Sequence, residues 1–127
     1  MIVKASAKGV RMSPRKVGVV AALVRDRSVA DAISILEHTP RRSAVAVRKV
    51  IESARANAEN NYDIKPETLS ISHISVTPGP RIKRYRPAAR GMAQPFQRKS
   101  SHIFVEVVGE KRAAKSVKKP AAKKEAK

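Results

Sequence analysis

The stretch "GPRIKRYRPAARGMAQPFQRKS", Gly79 to Ser100, constrains the fold of this chain more than any other. It lies between two apolar runs with the period-two spacing of β-strands, Leu69 to Val76 and Ile103 to Val107. It holds Pro80, Pro87 and Pro95, which a central strand excludes because proline has no N–H for the ladder. It carries Arg81, Lys83, Arg84, Arg86, Arg90, Arg98 and Lys99 and no acidic residue. Hairpin loops ordinarily have about two to five residues, and structureless loops beyond ~12–15 are functional or disordered. The segment therefore reads as two arms and a tip of a protruding hairpin. With about ten residues per arm at ~3.3 Å each, it reaches roughly 30 Å from the sheet. An isolated two-stranded ribbon is marginal in water, so its stability is expected to come from anion-rich surroundings.

The rest of the chain supplies an anchor. Val3, Ala5 and Ala7 alternate with Lys4, Ser6 and Lys8, a short strand that Gly9 is expected to end. Ser13-Pro14 has the cap-then-proline form of a helix start, and Val17, Val20, Ala21 and Val24 predict a first helix over 14–25. Ser28 and Asp31 have capping-box spacing before a second helix with Val29, Ala32, Ile33 and Leu36 on its apolar face. Thr39-Pro40 is expected to open a third helix, buried along Val47, Val50, Ile51, Ala54 and Ala58 and running to about Asn61. After a loop, Leu69 and Ile71 start a strand whose phase shifts at His73 before Ile74 and Val76, which predicts a bulge. Ile103, Val105 and Val107 form a last strand, with Phe104 and Val108 on its other face. The expected fold is α+β: a small three-stranded antiparallel sheet packed on three helices, with a long protruding hairpin at 79–100. Residues 1–109 form the domain. Residues 110–127, Lys/Ala-rich with a single proline, read as a disordered basic tail.

Charge narrows the function classes. Lys+Arg 28 against Asp+Glu 10 gives a net +18, a field that attracts polyanions and repels itself. Nucleic acid is the leading partner and an anionic membrane surface the weaker one. No apolar run reaches the ~18 residues of a spanning helix, and the N-terminus has no signal-peptide core, so a cytoplasmic protein is the simple reading. Cysteine is absent, which excludes disulfides, thiolate catalysis and Cys-ligated zinc. His38, His73 and His102 are widely spaced and no metal is expected; a helix end suits the first, strand surfaces the others. The acidic residues are scattered, and there is no Gly-rich phosphate loop or nucleophile elbow, so neither enzyme activity nor a cofactor is expected.

The candidate RNA-binding residues are Lys8, Arg11, Arg15, Lys16, Arg41, Arg48, Arg55, Arg81, Lys83, Arg84, Arg86, Arg90, Arg98 and Lys99. Arg41, Arg48 and Arg55 recur every seven residues, nearly two turns, and so share one helix face. That stripe reads either as a solvated charged face or as a phosphate-contacting one. In the hairpin Arg outnumbers Lys by five to two. Planar guanidinium pairs bidentately with phosphate and stacks on bases, which suits dense RNA. Tyr85 and Phe96 have stacking on nucleobases or packing across the arm as alternatives, and packing is favoured for Phe96. Gly91 provides the backbone freedom of a turn.

The blocks "MSPRKV" at Met12–Val17, "ESARANAENN" at Glu52–Asn61, "GPRIKRYRPAARG" at Gly79–Gly91 and "RKSSHI" at Arg98–Ile103 carry a resemblance. Over Val3 to Val108 the sequence resembles the bacterial large-subunit ribosomal proteins of the family "L twenty-two". The resemblance implies a globular domain on the large-subunit surface that contacts several domains of large ribosomal RNA and supports early assembly. It implies that the hairpin runs through RNA to the wall of the nascent-peptide exit tunnel. On that view Ile82, Lys83, Arg84, Arg86, Pro87, Ala88, Ala89, Arg90, Gly91 and Met92 face the tunnel. The region of Ile82, Lys83 and Arg84 is associated in the family with macrolide sensitivity and nascent-chain stalling. Met92 and Arg86 depart from the family pattern, which favours a basic residue and an apolar residue at those positions. The implied partners are large-subunit ribosomal RNA, neighbouring ribosomal proteins and the nascent polypeptide, with no membrane and no homo-oligomer. The alternative is a free architectural DNA-binding protein that wedges a basic β-arm into the minor groove.

Overall fold

The computed structural model describes residues 1–110, and the expected basic tail lies outside the described residues from position 111 onward. Two of three helices pack on a three-stranded antiparallel sheet of order β1-β3-β2, and the remaining helix packs against one of them. The strands are β1 (Ile2–Val10), β2 (Ser70–Pro87) and β3 (Ala93–Val108). The helices are α1 (Pro14–Leu23), α2 (Val29–His38) and α3 (Arg42–Tyr62).

Local chemistry sets the helix ends. Pro14 occupies the first turn of α1 behind an extended Ser13, whose side chain makes no capping bond. α1 stops two residues earlier than the apolar spacing predicts, because the chain turns at Asp26, a non-glycine residue with φ 55°. Ser28 does cap α2: its Oγ accepts from the Asp31 N–H at 3.1 Å and donates to Asp31 Oδ2 at 2.7 Å. Thr39 does not open α3. Its hydroxyl donates to the Ile35 carbonyl at 2.7 Å and so closes α2, and α3 begins two residues after Pro40. The far end of α3 turns through left-handed Asp63, and the Ile64 N–H donates back to the Ala58 carbonyl at 3.1 Å.

The core is aliphatic throughout. Val3, Val20, Val47, Ile51, Ile71, Ile74, Ile103 and Val105 are each 2% exposed or less, and no aromatic side chain joins them. Ile71 and Ile74 both point inward because β2 shifts register between Ile71 and His73, the bulge that the phase change predicts. β1 does not end at Gly9. It takes a bulge between Ala7 and Val10, with Gly9 at φ 72°, and makes a last pair between Val10 and Ser101.

Beyond that point the sheet has two strands. β2 and β3 run on as a ribbon with continuous pairing from Arg81↔Lys99 to Pro87↔Ala93. The ribbon closes through a short 3-10 turn, Ala89–Gly91. No residue from 79 to 100 is buried. The prolines sit where a ladder tolerates them: Pro80 in the register shift between Pro78 and Arg81, Pro87 at the last pair, and Pro95 on a strand with one free edge.

Candidate nucleic-acid interface

The domain and the root of the arm enclose a cleft of about 880 Å³, within the roughly 300–1,000 Å³ of ligand sites. Arg11, Met12, Ser13 and Lys16 form one side, where the chain enters α1. Arg41, Arg42 and Ser43, at the start of α3, line it as well. The arm completes the lining, with Ile82 and Arg84 from β2 and Gln97, Arg98, Lys99 and Ser100 from β3. Seven cations therefore converge here: Arg11, Lys16, Arg41, Arg42, Arg84, Arg98 and Lys99. No Asp or Glu lines the cleft, and none of the seven takes part in an ion pair among the described residues.

Helix chemistry supports the same reading. α2 has Asp31 in its first turn, where the dipole favours an anion. α1 and α3 have no acid there, and both open onto the cleft. With no acid in either first turn, the positive ends of both helix dipoles add to the field of the cationic side chains.

The arm is cationic on both faces. Ile82 pairs with Arg98 and Arg84 with Phe96, so these share one face with Arg86. Arg81 pairs with Lys99, Lys83 with Gln97 and Tyr85 with Pro95 on the other face. Arg81 directly opposite Lys99 is a like-charge cross-strand pair, which destabilises a ribbon in water. The Arg86 guanidinium lies 4.7 Å from the centroid of the Phe96 ring. Phe96 thus packs across the arm and restrains Arg86 by a cation–π contact. Tyr85 is 70% exposed and its ring is free. At the tip Arg90 and Gly91 both take positive φ, 58° and 73°. Arg90 is the only non-glycine residue of the arm in that region, and Met92 beside it is 69% exposed. Pro87, Ala88 and Ala89 complete the exposed tip.

The stripe on α3 divides. Arg41 belongs to the cleft. Arg48 is half-buried and paired within the chain, with Nη1 3.2 Å from Glu37 Oε1 and Nε 3.3 Å from Glu52 Oε1, so it ties α3 to α2. Its Nε is buried and not aligned for a hydrogen bond to either carboxylate. Arg55 is exposed and outside the described ion pairs. Lys8 and Arg15 are exposed outside the cleft. Arg42 escaped the sequence reading. Its signal was present: adjacent arginines at a helix start, where acids are the usual choice.

The histidines lie at structural positions. His38 ends α2, and His102 Nδ1 accepts the Gly9 N–H at 2.9 Å beside the β1 bulge. His73 is exposed at the β2 bulge. Among the described residues, no group of three His, Asp or Glu side chains comes together to hold a metal ion.

Comparison with known proteins gives a consistent result. A family model described as Ribosomal protein L22p/L17e matches residues 5–108. The chain is similar to the "Large ribosomal subunit protein uL22" of Latilactobacillus sakei, 51% identical over 109 residues that cover 86% of this chain and 92% of the relative. The protein of that name from Pediococcus pentosaceus is 50% identical over 108 residues, 85% of this chain and 91% of its own. The Clostridium tetani protein is 49% identical over 107 residues, 84% of this chain and 96% of its own. The cleft and the whole arm fall inside the matched region.

Proposed function

This chain belongs to the ribosomal protein L22p/L17e family, and on that premise we propose how it serves as a structural constituent of the large ribosomal subunit. It binds large-subunit ribosomal RNA on three fronts: the cleft at the arm root, the two cationic faces of the arm, and the exposed Lys8, Arg15 and Arg55. By joining RNA segments around a small domain it supports assembly of the subunit in the cytoplasm. Neighbouring ribosomal proteins are its other fixed partners. The arm lies along the path of the nascent polypeptide, with Ile82 to Met92 contributing to the tunnel wall.

The observation that carries this reading is the set of seven cations in the cleft with no acid among them. A folded protein that leaves so many like charges together relies on an external polyanion. RNA suits it better than a DNA groove. An architectural DNA-binding arm needs cations only along the arm, whereas here they surround the domain as well, and the relatives are ribosomal. The DNA-binding alternative thus finds no support.

Sedimentation at high magnesium tests the reading. The full chain is expected to travel with large-subunit particles and to be released as salt rises. A chain that sediments free of those particles under the same conditions contradicts it.

A further inference from the structure

The arm leaves the sheet at its most irregular point. β1 bulges between Ala7 and Val10 and then stops, while β2 shifts register between Pro78 and Arg81. At Gly79 the side chains of β3 press so close that an added Cβ would lie 2.6 Å from Ser100 Oγ. Two side-chain hydrogen bonds brace this junction: Ser100 Oγ donates to the Pro80 carbonyl at 2.7 Å, and the Gly9 N–H donates to His102 Nδ1 at 2.9 Å. Beyond it the ribbon has no residue in the core. Bulged strands bend and twist more readily than regular ones. The cleft lining brings domain cations such as Arg41 and Arg42 together with arm cations such as Arg84 and Arg98, and no Asp or Glu is among its described residues.

From this geometry we infer that the cleft is an anion-dependent joint. It takes backbone phosphates of RNA between the α3 start and the arm root, and their presence fixes the direction of the arm. With the cleft filled only by water and small ions, the two walls repel and the arm swings about its bulged root. Phosphates between the walls turn repulsion into attraction on both sides and select one orientation. The inference rests on the RNA-binding reading and deepens it: RNA sets the arm's aim at its base as well as gripping its length.

The chain has no cysteine, so two introduced cysteines give clean spin labels. With Ser53→Cys on α3 and Gln94→Cys on the arm, both exposed, pulsed electron resonance reads the distance distribution in the full chain. The distribution is expected to be broad for the free protein. It narrows with sodium tripolyphosphate, a probe too short to span the arm, and with large-subunit ribosomal RNA. Sodium chloride at equal ionic strength leaves it broad. The triple variant Arg41→Gln, Arg42→Gln, Arg98→Gln loses the narrowing with both probes, while circular dichroism verifies its fold. A narrow distribution in the free chain, equal narrowing by chloride, or narrowing retained in the triple variant overturns the joint. Titration of the same samples separates the two ideas. RNA that binds with the distribution still broad sinks the joint alone, whereas RNA that does not bind sinks the RNA-binding reading too.

Discussion

Between Ser70 and Pro78, β2 pairs with Ser101 to Val108 of β3 and sets Ile71 and Ile74 beside Ile103, Val105 and Val107 against the helices. From Arg81 to Pro87 the same two strands pair with the same antiparallel geometry and bury nothing. The first region is held by apolar burial, worth about 25 cal/mol per Å² removed from water. The second has the backbone ladder, one cation–π contact between Arg86 and Phe96, and a surplus of like charge. Identical secondary structure therefore has two different sources of stability. In the domain that source is internal, whereas on the function proposed above the arm draws it from the polyanion it binds.

The largest effect that separates the regions should come from removing the arm. Replacing Arg81 to Arg98 by a two-residue turn is expected to leave the helical circular dichroism signal intact, since no core residue is lost. RNA binding should then lose much of its salt dependence. Six cations are removed from the sequence, and at about 0.7–0.9 per phosphate neutralised the slope should fall by roughly four to five. Global unfolding of the shortened chain would break the comparison.

Ile51→Ala should show the reverse pattern. Ile51 is fully buried beneath the sheet, and its truncation is expected to cost about 2–5 kcal/mol in denaturant unfolding. The fraction that stays folded should bind RNA with unchanged affinity.

A smaller effect is expected from Arg42→Gln in the cleft. The salt slope should fall by about one with stability within ~0.5 kcal/mol of the parent. An unchanged slope would remove Arg42 from the phosphate-contacting set.

The smallest and sharpest pair lies on α3. Arg48→Gln breaks contacts to Glu37 and Glu52 and should lower stability by up to ~1 kcal/mol, with little change in RNA affinity. Arg55→Gln should do the opposite. If both variants behave alike, the stripe has one role after all.

The pattern of what the sequence disclosed follows from the distance over which each feature is encoded. The β2 bulge at His73 is legible because a one-residue change of phase is written in adjacent apolar positions. The helices are legible for the same reason. Thr39 misled because a hydroxyl before a proline serves equally to open the next helix or close the last one, and tertiary placement of α2 chose the second. The arm was visible as a charge run without acids. The cleft was not, because residues 11–16, 41–43 and 82–100 meet only once the sheet has formed. Arg48 was indistinguishable from Arg41 and Arg55 by spacing. Its partner Glu37 lies on another helix, and only packing brings the two within 3.2 Å.

Amide hydrogen exchange on the full chain, free and bound to large-subunit ribosomal RNA, tests most directly whether the arm draws its stability from outside. Domain amides such as Ile51 and Val105 should be strongly protected in both states. Arm amides from Arg81 to Lys99 should be far less protected than the domain's when the protein is free, and become strongly protected when RNA is bound. Arm amides as protected as the domain's in the free protein would contradict the account.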